Sequence, residues 1–268
     1  MSTTRDGKIN YQRQGKGRPL VLVHGVGANL SSWDGVCEAL GDEFDILRLD
    51  LRGHGLSAHI DNPITVDDFA GDILRLMDES GISQAHLAGF SLGGLIAQRL
   101  GSRWSSRFHR IVILSAVAGR TPDERARVLA RLGAIRKDGI DAIVGPAMDR
   151  WFTKEFAEKH PELIERRIEE LKSVHVPSYL EAYRVFGETE LIDDLHLIPN
   201  ETLVMTGEHD PNSNVRMALA MRDRIPNSQL CILPNLKHSV LVEAPDLIGA
   251  HIRQFLLGNF EKDESTHG

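Results

Sequence analysis

Residues 85–94 read Ala-His-Leu-Ala-Gly-Phe-Ser-Leu-Gly-Gly, an apolar run that breaks at Gly-x-Ser-x-Gly and turns helical at once. The pentapeptide alone is moderately specific, and its strand-to-helix setting gives it weight. Gly89-Phe90-Ser91-Leu92-Gly93 fits a sharp strand-to-helix turn that holds a serine in a strained backbone conformation. Side chains at positions 89 and 93 would collide with the neighbouring strand or helix. The stretch 92–100 then carries small and apolar residues at helical spacing. Such a turn raises a hydroxyl clear of a sheet, above a helix N-terminus. Residues of this type in this order point to acyl transfer, most simply hydrolysis.

The remaining chain supplies a sheet for that turn. Apolar runs at 19–23, 44–50, 85–90, 111–114, 202–206 and 229–233 read as strands. Helical patterns at 31–40, 65–80, 94–103, 213–225 and 245–257 lie between them. Strand–helix alternation implies right-handed crossovers and hence a parallel sheet. Residues 8–13 alternate in polarity and read as an antiparallel edge strand. The expected fold is therefore α/β, a mostly parallel central sheet flanked by helices.

Residues 120–195 break the alternation with charged amphipathic helices and no strand-like run, and read as a helical cap inserted into the core. Pro122, Pro146, Pro161 and Pro177 are each expected near a helix start. The stretch is rich in Arg and Glu, a composition expected of a solvated face. The domain reading is a core of 1–119 and 196–260, a cap of 120–195 and a disordered tail of 261–268.

Composition narrows the partners. With 268 residues and a net charge of −7, nucleic acid and anionic membranes are poor matches. Residues 1–8 are polar, without the apolar segment of a signal peptide, and no run approaches the length of a membrane span. The two cysteines, Cys37 and Cys231, form neither a disulfide framework nor a metal-ligand spacing. Both read as inert core residues, and the expected location is cytoplasmic. The oligomeric state is not legible.

A serine nucleophile needs a base, a group that orients the base, and donors for a developing oxyanion. His24-Gly25-Val26-Gly27 follows the strand at 19–23, so the N–H groups of Val26 and Leu92 are the candidate oxyanion donors. Gly207-Glu208-His209-Asp210-Pro211 follows the strand at 202–206, and an acid there faces the crevice where ligands bind. Asp210 is the candidate orienter. His238, after the strand at 229–233, is the candidate base. Ser91, Asp210 and His238 fall in the chain order such an architecture requires. His54, in Asp50-Leu51-Arg52-Gly53-His54-Gly55, precedes the nucleophile and reads as structural. This chemistry requires no metal or organic cofactor.

With these segments in place, the chain resembles the α/β-hydrolase fold superfamily over essentially its whole length. Within it, the chain is similar to 3-oxoadipate enol-lactone hydrolases. The similarity rests on Arg150-Trp151-Phe152-Thr153-Lys154-Glu155-Phe156, on His160-Pro161-Glu162-Leu163 and on the helix at 69–78. It departs at His24-Gly25-Val26-Gly27, Ser91-Leu92-Gly93-Gly94 and the loop at 210–216. The resemblance implies a small-molecule ester or lactone substrate. Trp151 is the candidate pocket wall, and Arg150 the candidate cation for an anionic substrate. Three alternatives stay open: a C–C hydrolase of dienone acids, a cofactor-free perhydrolase, and a non-catalytic ligand receptor.

Overall fold

Alternating apolar side chains in the short strands dictate a sheet covered on both faces. The computed structural model describes residues 2–260. Its sheet has eight strands. They are β1 (Ser2–Thr3), β2 (Asn10–Gln14), β3 (Arg18–Val23), β4 (Phe44–Leu49), β5 (Ala85–Phe90), β6 (Phe108–Leu114), β7 (Glu201–Gly207) and β8 (Ser228–Leu233). The spatial order is β1-β2-β4-β3-β5-β6-β7-β8. β2 pairs antiparallel with β1 and β4, and the pairings from β4 to β8 are parallel. The strand expected at 8–13 thus begins at Asn10, and the two-residue β1 lies outside it.

Period-two alternation divides the core. Val21 and Val23 of β3 face one apolar cluster, with α2 (Val66–Glu79) and α3 (Leu92–Arg103) behind it. Leu20 and Leu22 face the other, covered by α1 (Asp34–Leu40) and by a C-terminal helix over Pro245–Leu257. All four side chains are fully buried.

After β6 the chain leaves the sheet and forms five α-helices and a 3₁₀ turn at Ile192–Leu197 before returning at β7. The five are α4 (Pro122–Asp138), α5 (Asp141–Trp151), α6 (Lys154–Lys159), α7 (Pro161–Lys172) and α8 (Val176–Glu188). They carry an apolar cluster of their own, built on Ile135, Ile143, Ala147, Leu171 and Tyr179. Pro122, Pro161 and Pro177 sit at helix starts, and Thr121 with Glu124 closes a capping box on α4. Pro146 does not: it lies inside α5. That helix begins earlier, behind Ile140, which offers no side-chain cap, so only Asp141 in the first turn marks its start.

The remaining helices are α9 (Val215–Arg224), α10 (Val240–Glu243) and α11 (Pro245–Leu257). Among the described residues, no helix is long and apolar enough to cross a membrane. The expectation for the tail at 261–268 lies outside the described residues.

Candidate active site

The strand order reverses beside β3. The chain steps from β3 to β4 on one side, then returns to place β5 on the other. The carboxyl ends of β3 and β5 therefore border a crevice, the usual ligand position in an open α/β sheet. His24-Gly25-Val26 leaves β3 there, and Ser91 leaves β5.

Ser91 adopts φ 55°, a left-handed conformation rarely taken by a residue with a side chain. Backbone bonds hold it there. Its N–H donates to the Leu114 carbonyl at 2.9 Å, and its carbonyl accepts from Leu95 N–H at 3.0 Å. The flanking glycines permit the approach: a Cβ on Gly89 would overlap the Gly93 carbonyl, and one on Gly93 the Val23 carbonyl. Leu92 opens α3, so its N–H is one of the donors that an α-helix leaves unpaired at its start.

His238 lies between Ser91 and Asp210. Its Nδ1–H donates to Asp210 Oδ2 at 2.6 Å, which leaves Nε2 as the acceptor facing Ser91 Oγ at 3.3 Å. Asp210 Oδ1 accepts from the N–H groups of Asn212 at 2.9 Å and Ser213 at 3.0 Å. Its side chain is fully buried. These carboxylate contacts together favour one orientation, with one oxygen turned to the loop and the other to the imidazole. Glu208 and His209 are exposed beside it.

The loop after β3 is held by His24. Its Nε2 accepts from Leu51 N–H at 3.0 Å, and its Nδ1–H donates to the Gly25 carbonyl at 2.7 Å. Ala28 N–H reaches the same carbonyl at 3.3 Å. In a trans peptide the N–H points opposite to the carbonyl, so these bonds fix the direction of Val26 N–H. Gly25 touches the serine: a Cβ there would stand 3.0 Å from Ser91 Cβ. Burial pushes the His24 imidazole down to about 4, so it keeps its neutral, accepting form. His54 sits against His24, with ring centres 5.2 Å apart, and burial followed by the His24 charge pushes it down to about 3. Among the described residues it has no bond to Ser91 or Asp210.

Above Ser91 lies a cavity of about 320 Å³, lined by Gly25, Val26, Ser91 and His238 from the sheet side and by the helical block above. Trp151 and Arg150 both line it. The Trp151 ring stacks on the Arg167 guanidinium at 4.9 Å, while its backbone carbonyl accepts from Ser239 N–H at 2.9 Å. One residue thus walls the cavity with its ring and ties the helical block to the His238 loop with its backbone. Arg150 is half-buried, and burial followed by the neighbouring Arg131 lowers its pKa.

Arg131, Arg167, Tyr179 and Tyr183 also line the cavity. The composition of 120–195 suggests a solvated charge, and for these arginines that reading fails. The signal is positional. Arg131 is three residues after Val128 and four before Ile135, on the buried face of α4; Arg167 stands likewise between Ile164 and Leu171 on α7. Of the cysteines, Cys37 is buried and its thiol pushed up to about 11 by burial, while Cys231 is partly exposed. Among the described residues, no group of three or more His, Cys, Asp or Glu is placed to hold a metal ion.

Residues 18–245 match the family model described as alpha/beta hydrolase fold. The chain is 30% identical over 245 residues to 3-oxoadipate enol-lactonase 2 of Acinetobacter baylyi, covering 91% of each chain. It is 28% identical over 250 residues to (E)-2-((N-methylformamido)methylene)succinate hydrolase of the same organism, covering 92% of this chain and 93% of the relative. Among solved structures, the enol-lactonase from Burkholderia xenovorans LB400 superposes with a TM-score of 0.87 at 25% identity, over 93% of this chain and 96% of that one. The chain belongs to the alpha/beta hydrolase fold family, and it is an enzyme of that family.

Proposed function

We propose that this α/β hydrolase is a serine hydrolase that cleaves a carboxylic ester or lactone of a small molecule through an acyl-enzyme. The observation that carries the reading is the buried Asp210–His238–Ser91 relay, bonded in the order needed for proton transfer, at the base of a cavity lined by the sheet edge and the helical block. Fold alone supports many chemistries, so the site must make the argument.

In the first step, His238 Nε2 takes the Ser91 proton as Oγ attacks the substrate carbonyl. A small rotation brings the 3.3 Å contact into proton-transfer range. The carbonyl oxygen gains the negative charge and accepts from the N–H groups of Val26 and Leu92. The tetrahedral intermediate collapses, the C–O bond to the leaving group breaks, and the imidazolium returns its proton to the departing oxygen. Asp210 stabilises the imidazolium and holds its tautomer. Water then repeats the sequence on the acyl-enzyme and releases the acid. In a lactone the leaving oxygen stays attached to the acyl product. The block at 120–195 acts as the cap that sets specificity, with Trp151 and Arg150 facing the substrate.

Two relatives favour a lactone: an enol-lactonase of known sequence and one of known structure are similar over nine-tenths of the chain. The test is a turnover panel of an aryl ester, an enol-lactone, an aliphatic lactone and a dienone acid, with Ser91→Ala and a serine-directed phosphonate. Ser91→Ala is expected to lower kcat by about 10⁴-fold or more, and the phosphonate to label Ser91. Labelling at another serine, or near-normal turnover by the variant, overturns the assignment. Cleavage of the dienone acid alone would favour C–C hydrolysis.

A further inference from the structure

The loop that presents Val26 N–H is touched by a side chain of α8. Gly27 adopts φ 66°, and a Cβ there would stand 2.7 Å from Tyr179 Cε2 and 3.3 Å from Tyr179 Cδ2. The Cδ2–Cε2 edge of the tyrosine ring therefore rests against the Gly27 backbone, and only glycine leaves room for it. Tyr183, one turn further along α8, stacks on the same ring with centres 5.7 Å apart. Contacts with Gly27 and Tyr183 together fix where the phenol sits.

The hydroxyl of that phenol is spare. Tyr179 is 2% exposed, yet its Oη has no hydrogen-bond partner among the described residues. A buried phenol normally finds one, as Tyr183 does by accepting from Arg131 Nε at 2.9 Å. Nor is Tyr179 Oη sealed in protein as Trp33 Nε1 and His54 Nε2 are; it opens on the cavity that Tyr179 lines with Val26 and Ser91. Burial and then Tyr183 raise the Tyr179 pKa, while Arg167, Arg150 and Arg131 pull the other way without prevailing. The phenol thus keeps its proton, and the cations around it make that proton a better donor.

We propose that the Tyr179 hydroxyl is a third oxyanion donor, bonding to the substrate carbonyl oxygen as that oxygen gains charge, beside the N–H groups of Val26 and Leu92. Val26 and Gly27 share a peptide bond, so an oxygen held by Val26 N–H is fixed beside Gly27. Oη lies two bonds beyond the Cε2 atom that meets Gly27, on the same loop. A donor already in place and unpartnered before the reaction needs no reorganisation when charge develops, and it acts at a site where water is scarce. The proposal rests on the hydrolase reading for the presence of a carbonyl at Ser91. It adds that the oxyanion site is complete only when α8 is seated on the loop after β3.

The test is Tyr179→Phe in the full-length protein, which keeps the ring and its contacts and removes only the O–H. Its kcat on an aryl ester is expected to fall about 10²-fold, the size of losing one oxyanion donor, with KM and the urea midpoint unchanged. A ring that only seats α8 on the loop loses nothing in this exchange. A second readout needs no change at Tyr179. The chain has three tyrosines, so labelling them with ¹³C at Cζ gives three signals, assigned through Tyr11→Phe and Tyr183→Phe. Ser91 Oγ attacks phenylboronic acid at boron to give a tetrahedral anion, and that mimic of the charged intermediate should shift the Tyr179 signal. A kcat within about threefold of the parent, a loss carried by KM alone, or a Tyr179 signal unmoved in the boronate complex overturns the donor. A parent inert toward every ester and lactone overturns the hydrolase reading and the donor together. An active parent with a normal Tyr179→Phe variant overturns the donor alone.

Discussion

Replacing Asp210 by Asn tests the relay at its most buried member. The swap keeps shape and removes charge, and its outcome turns on which way the amide faces. Asp210 Oδ1 accepts two backbone N–H groups, from Asn212 and Ser213. Turning the amide NH₂ toward them would set donors against donors and orphan the buried Ser213 N–H, at about 1–3 kcal/mol, and the partly exposed Asn212 N–H, at less. The introduced amide therefore keeps its oxygen on the loop and presents NH₂ to His238. Nδ1 must then accept, the ring proton moves to Nε2, and Nε2 becomes a donor facing Ser91 Oγ. A base that already holds its proton cannot take another.

The expected loss is about 10⁴-fold in kcat, the size seen where such a swap installs the wrong tautomer, or about 5.4 kcal/mol at 1.36 kcal/mol per decade. KM should change little, because Asp210 is absent from the cavity wall. Stability should also change little, because both loop bonds survive. Asp210→Ala, by contrast, orphans the buried Ser213 N–H and frees the partly exposed Asn212 N–H, and should cost at least about 1–3 kcal/mol. The assay is aryl-ester turnover beside urea unfolding, with ¹⁵N chemical shifts of the imidazole reporting the tautomer. An Asp210→Asn variant within tenfold of the parent, or one whose proton stays on Nδ1, would refute the reasoning.

Mild acid should destabilise the fold before carboxylates titrate. His24, His54 and His86 are pushed by burial from 6.5 to about 4, about 3 and about 4. The unfolded chain then binds more protons than the folded one between about pH 6.5 and 4, so stability is full above that window and falls as pH drops through it. Each histidine contributes about 1.4 kcal/mol per pH unit. Urea unfolding at pH 7 and 5.5 should differ by about 4 kcal/mol, and His86→Gln should remove about a third of that; a flat profile would refute the burial argument. Trp151→Ala should redistribute kcat/KM among the panel substrates and cost less than the roughly 3–5 kcal/mol of a fully buried aromatic. Uniform losses with severe destabilisation would make Trp151 an anchor only.

What was legible in the sequence is local. Ser91, Asp210 and His238 each follow a short apolar run and sit among turn residues, so strand order alone brought them to one edge. Structure adds the contacts that join them, which span 28 and 147 residues of chain and leave no periodic trace. The helical block at 120–195 was harder to read, because the placement of its arginines runs against composition. A stripe of arginines usually faces water, and only its phase relative to Val128, Ile135, Ile164 and Leu171 places Arg131 and Arg167 inward. Pro146 misled for the opposite reason: a strong local signal marked a helix start where the chain had already begun its helix without a polar cap.

The helical block at 120–195 and the His238 loop are not independent parts. Lys237 Nζ donates to the Asp149 carbonyl at 2.7 Å, and Ser239 N–H to the Trp151 carbonyl at 2.9 Å, so the residues on either side of His238 are tied to those on either side of Arg150. One turn further, Glu243 accepts from Thr153 N–H at 3.0 Å and from its Oγ1 at 2.6 Å, while Thr153 itself caps α6 through Phe156 N–H. Burial raises the Glu243 pKa despite both bonds from Thr153. These bonds make residues 149–153 and 237–243 one frame. On the proposed reading, a substrate that engages Arg150 and Trp151 would act on the backbone that holds the His238 imidazole in place, so that substrate choice and the position of the proposed base would be set by one frame.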